Sequence, residues 1–401
     1  MNVRRGVLVG IAWVGLACGG GGGAPAAPDG GAEVDQGAVD LGVDLAVPDG
    51  PEPLDSLLEP LRDEHGAVGL AAAVLDPEGL VAVGAVGLRR QGGTEGVTTD
   101  DRWHLGSDTK AMTATLAALL VEAGELTWEQ TVAETFVDFA DAIHPDLQDI
   151  TLVELLTHWS GLTGNMGAAF AGLWARLWEA REDVMAERLF AVETMLSAEP
   201  ELPPRTAFRY SNAGYIVAGA MLEVVTGQPW ETLMRERLFG PLGMGECGFG
   251  APGTAGAADQ PWGHSGTSTL EPVPPGPSAD NPPALGPAGT VHCSLDSWAR
   301  FVALHLRGAE GDTELLPQST FTRLHTPVDG YAYGWGVGSP AWASGPALAH
   351  AGSNTLFYAV AWVGLGDGRA YLVVTNRGGP PADRVTAATL TALVESYPPS
   401  D

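Results

Sequence analysis

Ser107 and Lys110 are the two residues whose types and spacing most directly suggest chemistry. Lys110 is the only lysine among the 20 lysine and arginine residues of the chain, and it follows Ser107 within the segment 106–110. Arginine keeps its proton at any pH at which proteins are stable, whereas a buried lysine can lose it. Because a hydroxyl becomes a nucleophile when a neighbour takes its proton, the pair predicts an activated serine. A chance serine and lysine on one helix would give the same pattern.

A second candidate pair, Tyr210 and Asn212, directly precedes a predicted helix. A tyrosine beside a cation can ionise more easily and act as a base, and an amide can hold both the lysine and a substrate carbonyl. Taken alone, Tyr-x-Asn is more often a structural turn.

The third candidate group is His350, Gly352 and Ser353, which lie just ahead of a predicted strand that begins near residue 356. A glycine on an edge strand lets a substrate backbone come close. The N–H of the following residue can then point at the oxygen of the reacting carbonyl. His-x-Gly alone carries almost no information.

The elements that must position these residues follow from the apolar pattern. Strands are predicted near both ends of the folded part, at 68–75, 80–88, 333–337, 356–364 and 370–375. Helices are predicted at 54–65, 110–123, 151–158, 171–196, 214–226, 295–306 and 381–396. The stretch 250–287 is rich in proline, glycine and serine and indicates a long irregular connection.

This distribution predicts an α+β fold, an α/β sandwich, in which one antiparallel sheet combines N-terminal and C-terminal strands. Helices flank the sheet, and a mostly helical region is inserted between its two halves. If Ser107 opens the helix at 110–123, Lys110 lies one turn further on the same face. The positive field at the helix N-terminus then favours an alkoxide or an oxyanion at the serine.

The N-terminus is typical of an exported bacterial protein. Arg4 and Arg5 precede an apolar run that ends at Cys18, so 1–18 is predicted to be a signal peptide whose lipobox cysteine, Cys18, carries the lipid. Ordinary secretion and a plain apolar N-terminus are the alternatives. The segment 19–53 is predicted to be a disordered Gly/Ala/Pro/Asp linker, and 54–398 the folded domain.

Composition excludes several classes of function. The net charge is −29, which opposes the binding of nucleic acid. There is no His-x-His, no His-Glu-x-x-His, no Gly-x-Ser-x-Gly and no glycine-rich phosphate loop, so no metal or cofactor is expected. Two buried thiols are the default prediction for Cys247 and Cys293, and a disulfide between them is the alternative.

In this order and at these separations, the three motifs resemble the serine β-lactamase and penicillin-binding superfamily. The similarity is to the branch of class C β-lactamases, related D-alanyl-D-alanine carboxypeptidases (DD-peptidases) and esterases, and it extends from about residue 54 to the C-terminus. Further segments are similar to that branch: 150–162, 241–244, 288–289 ahead of Asp296, and 333–336.

The resemblance implies a role for each motif residue. Ser107 is similar to the acylating nucleophile, and Lys110 to the residue that helps to move its proton. Tyr210 resembles the general base, held poised by Lys110. Asn212 matches the residue that orients Lys110 and the substrate amide.

In the third motif, His350 matches the position that faces the substrate, and Gly352 gives the substrate room. The backbone N–H groups of Ser107 and Ser353 are expected to form the oxyanion hole. The class C enzymes that destroy penicillins carry a lysine where this chain has His350. An imidazole is mostly neutral at pH 7, and this counts against efficient β-lactam hydrolysis.

The sequence therefore predicts an exported serine hydrolase that forms an acyl-enzyme on an ester, amide or D-amino-acid peptide bond. A true β-lactamase and a D-alanyl-D-alanine carboxypeptidase remain alternatives. So do a non-catalytic member that binds cell wall or protein, and an acidic surface lipoprotein with accidental motifs. We expect a monomer in the periplasm, on the outer membrane through the Cys18 lipid, or secreted. Its substrate would be a small molecule or peptidoglycan-like.

Overall fold

The computed structural model describes residues 50–179, 183–266 and 269–399. The predicted signal peptide with Cys18, and the linker up to residue 49, lie outside the described residues. The linker prediction is wrong at its end, because Glu52–Pro53 pairs as a short parallel strand with a strand of the main sheet.

The strands of the described residues form one large sheet and two small ones. In chain order they are β1 (Glu52–Pro53), β2 (Gly69–Asp76), β3 (Gly79–Gly87), β4 (Arg102–His104), β5 (Gly248–Phe249), β6 (Gly263–Ser265), β7 (Glu271–Val273), β8 (Val291–Ser294), β9 (Tyr331–Ala332), β10 (Trp335–Gly338), β11 (Ala347–Ser353), β12 (Tyr358–Gly364) and β13 (Arg369–Thr375). The large sheet has the order β1-β3-β2-β13-β12-β11-β10-β9, and β4-β8-β5 and β6-β7 form the small sheets.

Along the chain, most of the α-helices lie between the N-terminal and the C-terminal strands of the large sheet. They are α1 (Asp55–His65), α2 (Thr109–Glu122), α3 (Val132–Thr135), α4 (Leu152–Leu156), α5 (Met166–Ala169), α6 (Ala171–Leu177), α7 (Val184–Leu196), α8 (Asn212–Thr226), α9 (Trp230–Leu233), α10 (Gly240–Leu242), α11 (Gly286–Gly289), α12 (Leu295–Glu310), α13 (Gln318–His325) and α14 (Pro380–Ser396). A π-helical stretch, Met234–Phe239, joins α9 to α10. None of the helices in the described residues is both long and apolar enough to span a bilayer.

The strand β2 shows why the sheet is a central layer. Alternate side chains of a strand point to opposite faces. Leu70, Ala72 and Val74 pack on one face with residues of α1 and α14. The side chains at 71, 73 and 75 pack on the other face with residues of α2, α8 and α12. Because both faces are covered, the strand is apolar at nearly every position.

The predicted fold class is confirmed. The two halves of the sheet meet where β2 pairs antiparallel with β13, and the helical region is inserted between them. The helices and strands predicted at 54–65, 68–75, 80–88, 110–123, 214–226, 295–306, 370–375 and 381–396 match observed elements to within a few residues.

One predicted helix is wrong, and one strand was not predicted. The expected helix at 171–196 is divided into α6 and α7, because Asp183 caps a new helix by accepting a hydrogen bond from the Ala186 N–H. The His350 motif precedes a strand as predicted, since β12 begins at Tyr358, but the motif itself lies on β11, which was not predicted. Alanine and glycine dominate β11 and are poor strand formers, so the pattern gave no strand signal there.

The default prediction of two buried thiols is also wrong, because Cys247 and Cys293 are joined in a disulfide. Their proximity follows from the pairing of β5 with β8, in which Gly248 lies opposite His292 and so brings the two cysteines alongside each other. The partners are 46 residues apart, and no local pattern indicates this pairing.

We expect a double variant, Cys247→Ser with Cys293→Ser, to lose about 2–4 kcal/mol of unfolding free energy, because the cross-link restricts the unfolded chain. Urea unfolding with and without reductant measures the difference. Reductant should bring the wild-type protein to the midpoint of the double variant and leave the double variant unchanged. A wild-type midpoint that is insensitive to reductant would contradict the prediction.

Candidate active site

Ser107 lies in a tight turn that leads directly into α2. The 3₁₀ turn spans Gly106–Asp108, and Gly106 adopts a φ of +53°, which favours glycine. The Thr109 hydroxyl donates to the Gly106 carbonyl at 2.7 Å, and the His104 Nδ1 accepts from the Gly106 N–H at 3.0 Å. The turn is therefore held on both sides of the serine, which stands at the N-terminal end of α2 as predicted.

Lys110 lies one turn further on and is completely buried. Its Nζ is 3.1 Å from the Ser107 Oγ, 2.8 Å from the Asn212 Oδ1 and 2.7 Å from the Ala288 carbonyl oxygen. Burial lowers the pKa of Lys110 from 10.5 to about 7, against an opposing attraction from Asp108. Near neutral pH about half of the amine is therefore deprotonated and able to act as a base.

The three partners of Lys110 also fix where its lone pair points. A neutral amine has two N–H groups and one lone pair. The Asn212 oxygen and the Ala288 carbonyl can only accept hydrogen bonds, so they take the two N–H groups. The Ser107 hydroxyl is the one partner of the three that can donate, and the lone pair is left for its proton.

Asn212 is held by its own surroundings at the start of α8. Its Nδ2 donates to the Gly164 carbonyl at 3.2 Å, which turns its Oδ1 towards Lys110. The Ser211 hydroxyl caps the helix by accepting from the Gly214 N–H at 2.9 Å. The His158 Nδ1 accepts from the Ser211 N–H at 3.1 Å. His158 is fully buried, and this contact makes it part of the packing behind the second motif.

Tyr210 lies in the same cluster, but its ionisation runs against the expectation. Burial raises the pKa of the Tyr210 phenol, and a hydrogen bond with Ser107 only partly offsets that rise. The Lys110 Nζ lies 4.9 Å from the centre of the ring, over its face. A lysine that is itself only partly protonated does little to stabilise a phenolate. Tyr210 therefore keeps its proton beside Ser107, whereas Lys110 can lose its own.

His350 is buried on β11, and both ring nitrogens are engaged. Its Nε2 lies 3.3 Å from the Tyr331 hydroxyl, and its Nδ1 lies 3.0 Å from the Ala351 carbonyl oxygen. Because a carbonyl only accepts, the Nδ1 carries the proton and the Nε2 accepts from the tyrosine. Burial lowers the pKa of His350 to about 3. The ring is neutral and has no free nitrogen to offer a substrate.

Gly352 and Gly106 let β11 lie directly against the Ser107 turn. A Cβ on Gly352 would fall 1.9 Å from the Leu105 carbonyl oxygen and 2.6 Å from the Ser107 nitrogen. A Cβ on Gly106 would fall 2.2 Å from the Ser353 nitrogen. The structure thus brings together the two backbone elements from which an oxyanion hole was predicted. On one side of β11, β10 pairs only with residues 347–349, so within the described residues no strand pairs with 350–353 on that side.

The sequence reasoning missed several residues around this site. Asp108 is buried beside Ser107 with neither carboxylate oxygen hydrogen-bonded within the described residues, and burial raises its pKa. His104, Asp280 and Asn354 form a buried polar group next to the turn. In the sequence, the only indication of this group is that His104 lies three residues before Ser107. Asp280 lies in the stretch that was predicted to be an irregular connection.

A cavity of about 530 Å³ lies next to the second motif. Its wall includes Ala213, which follows Asn212, and Thr163, whose carbonyl accepts a hydrogen bond from Ser211. Apolar side chains form much of the remainder, among them Leu162, Phe170 and Met195.

Comparisons with known proteins place this geometry in context. The beta-lactamase family model matches residues 54–396. Penicillin-binding protein 4 of Amycolatopsis lactamdurans is 31% identical over 330 residues, which cover 79% of this chain and 83% of that protein. Esterase EstB of Burkholderia gladioli is 29% identical over 206 residues, or 49% of this chain and 50% of the esterase. The chain therefore spans most of the first relative and half of the second.

The fold is also found among solved structures. The octameric penicillin-binding protein homologue from Pyrococcus abyssi superposes with a TM-score of 0.67 at 21% identity, over 86% of this chain and 77% of that one. At this identity the likeness concerns the fold alone.

We expect Gly352→Ala to reduce labelling of Ser107 by a fluorophosphonate by about 100-fold, because an added methyl must displace β11 or the serine turn by a large fraction of an ångström. The second-order rate of adduct formation, followed by mass spectrometry, measures the effect. Gly345→Ala is the matched control, since a Cβ there meets nothing within 4 Å. Labelling of Gly352→Ala at the wild-type rate would show that β11 does not set the serine geometry.

Proposed function

The chain belongs to the beta-lactamase family, and from this premise we propose that it is an exported serine hydrolase that forms an acyl-enzyme at Ser107. The substrate carries an ester, an amide or a D-amino-acid peptide bond. The observation that carries the proposal is the buried Lys110 amine, whose lone pair is directed at the Ser107 hydroxyl.

In the first half-reaction the Ser107 oxygen attacks the substrate carbonyl carbon while its proton passes to the Lys110 nitrogen. The carbonyl π bond becomes an oxyanion, which the N–H groups of Ser107 and Ser353 stabilise. The intermediate collapses, and the bond to the leaving group breaks. The leaving group takes the proton from Lys110, either directly or through the Tyr210 phenol.

In the second half-reaction water attacks the acyl carbon and gives its proton to the same relay. The tetrahedral intermediate forms again in the same oxyanion site. Collapse then breaks the bond to the Ser107 oxygen, which regains a proton from Lys110. The acid product leaves, and the resting enzyme is restored. Side chains and backbone groups of the chain itself carry every proton and charge in this scheme.

The charge state of the site favours uncharged substrates. A β-lactam and a D-alanyl-D-alanine peptide each carry a carboxylate, which a fixed cation would bind with a strong hydrogen bond. His350 is neutral with both nitrogens engaged, and Lys110 is only about half protonated near pH 7. We therefore rank an ester or amide hydrolase first, a D-alanyl peptidase second and a β-lactamase third.

The disulfide between Cys247 and Cys293 supports an exported location, because disulfides persist in oxidising compartments. Together with the predicted signal peptide it favours the cell envelope or secretion, with attachment to a membrane through a lipid on Cys18. A monomer that acts on a small molecule or on a peptidoglycan-like substrate, and that binds no nucleic acid, completes the proposal.

A substrate panel tests the proposal. We expect kcat/KM for a short-chain p-nitrophenyl ester to exceed that for nitrocefin or a D-Ala-D-Ala peptide by about 10- to 100-fold, the range expected when a charged hydrogen bond to the carboxylate is missing. Ser107→Ala is the control and should lose turnover of every substrate. A preference for the carboxylate substrates would reverse the ranking. A protein that forms no adduct at Ser107 with any probe would instead be a non-catalytic binding member of the family.

A further inference from the structure

Asp280 links the two backbone elements that supply the oxyanion site. It follows the short 3₁₀ turn Pro277–Ala279 in the irregular connection, and only 6% of its surface is exposed. One of its carboxylate oxygens, Oδ1, lies 2.7 Å from the His104 Nε2 and also accepts a hydrogen bond from the Asn354 Nδ2 at 3.1 Å. A single buried oxygen therefore contacts side chains from two distant parts of the chain.

On one side, His104 connects Asp280 to the serine turn. His104 is fully buried at the end of β4, and its Nδ1 accepts the Gly106 N–H at 3.0 Å. An accepting Nδ1 places the proton on Nε2, which is the atom next to Asp280. The carboxylate lies off the axis of this N–H, so the contact is electrostatic rather than a well-aligned hydrogen bond. It still favours the tautomer that holds Gly106.

On the other side, Asn354 connects Asp280 to the hairpin that carries Ser353. The Asn354 Oδ1 accepts the N–H groups of Leu356 and Phe357 at 3.1 and 3.0 Å, which closes the turn between β11 and β12. Its Nδ2 donates to the carboxylate of Asp280 and, at 3.3 Å, to the Ala279 carbonyl. The turn after Ser353 is thus tied to the same connection.

We propose that Asp280 is a positioning residue that fixes the Ser107 turn and the Ser353 hairpin against each other, and so sets the geometry of the oxyanion site. The inference rests on the proposed function, because the two N–H groups matter for rate only if Ser107 is acylated. Asp280 touches no reacting atom. It acts through His104 and Asn354, and its effect falls on the transition state, where charge appears on the carbonyl oxygen.

The connection contains a second contact that works in the same sense. The Asn281 Nδ2 donates to the Gly289 carbonyl at 3.1 Å, and the neighbouring Ala288 carbonyl accepts from Lys110. Two consecutive polar residues thus secure the oxyanion elements and the carbonyl that holds the amine. The irregular connection therefore makes buried polar contacts with the site at residues 280 and 281.

The test compares Asp280→Ala, Asp280→Ser and Asp280→Asn by steady-state kinetics on the p-nitrophenyl ester, with active sites counted by fluorophosphonate titration. We expect kcat per titrated site to fall about 10- to 100-fold in the alanine and serine variants, the lower part of the range for loss of an oxyanion donor. KM should stay within about twofold, because ground-state binding is not changed. Asp280→Asn should lie between the wild type and Asp280→Ala, since its amide oxygen still accepts from Asn354 but no charge faces His104.

Glu223→Gln is the matched control. Glu223 is a buried carboxylate paired with Arg188, and it lies on α8 about 16 Å along the helix from Asn212. We expect this variant to lose thermal stability while its kcat per titrated site is unchanged. If Asp280→Ala does not fold, Asp280→Ser provides the same test. Its hydroxyl suits the polar site but is too short to reach both partners.

A wild-type kcat per site in Asp280→Ala or Asp280→Ser would overturn the inference and leave the proposed function intact. So would an Asp280→Asn variant as impaired as Asp280→Ala, since the hydrogen bond to Asn354 would then contribute nothing to the rate. A wild-type protein with no turnover and no Ser107 adduct would overturn the proposed function, and this inference with it.

Discussion

The burial of one amine is the constraint on which the rest of this structure depends. An ammonium in an apolar interior is unfavourable, and Lys110 responds with a pKa of about 7. The two carbonyl-type oxygens around it satisfy its N–H groups without supplying a full charge. A carboxylate within hydrogen-bonding distance would restore the proton and remove the base. The site therefore surrounds the lysine with neutral acceptors and leaves its lone pair for Ser107.

Each neutral partner of that amine comes from a different part of the chain. Ser107 lies in the turn that leads into α2, the helix that carries Lys110; Asn212 begins α8 in the inserted region, and Ala288 lies on α11. The large sheet brings the fourth part, β11 with Ser353, from the C-terminal half. A sheet that joins both termini around an inserted helical region thus lets segments distant in sequence meet around Ser107 and Lys110.

Part of this arrangement could be predicted from the sequence, and the reasons differ from residue to residue. Ser107 and Lys110 are one helical turn apart, so local spacing alone predicted their contact. The strand at 347–353 was missed because its alanines and glycines serve close packing against the serine turn rather than strand propensity. The disulfide and the Asp280 contacts depend on pairing across long separations, which no local pattern records. The pKa of Tyr210 is raised, whereas the sequence predicted that it would be lowered. Burial raises it by more than the partly deprotonated Lys110 can lower it.

The single lysine of the chain makes its central property directly measurable. Protein grown with lysine labelled with ¹³C at Cε gives one lysine resonance, which can be followed through a pH titration by NMR. The account predicts a midpoint near pH 7 in the folded protein and a return towards the ordinary value of 10.5 in urea. A folded-state midpoint near 10.5 would mean that the amine is a permanent cation, and it would contradict the assignment of Lys110 as the base for Ser107.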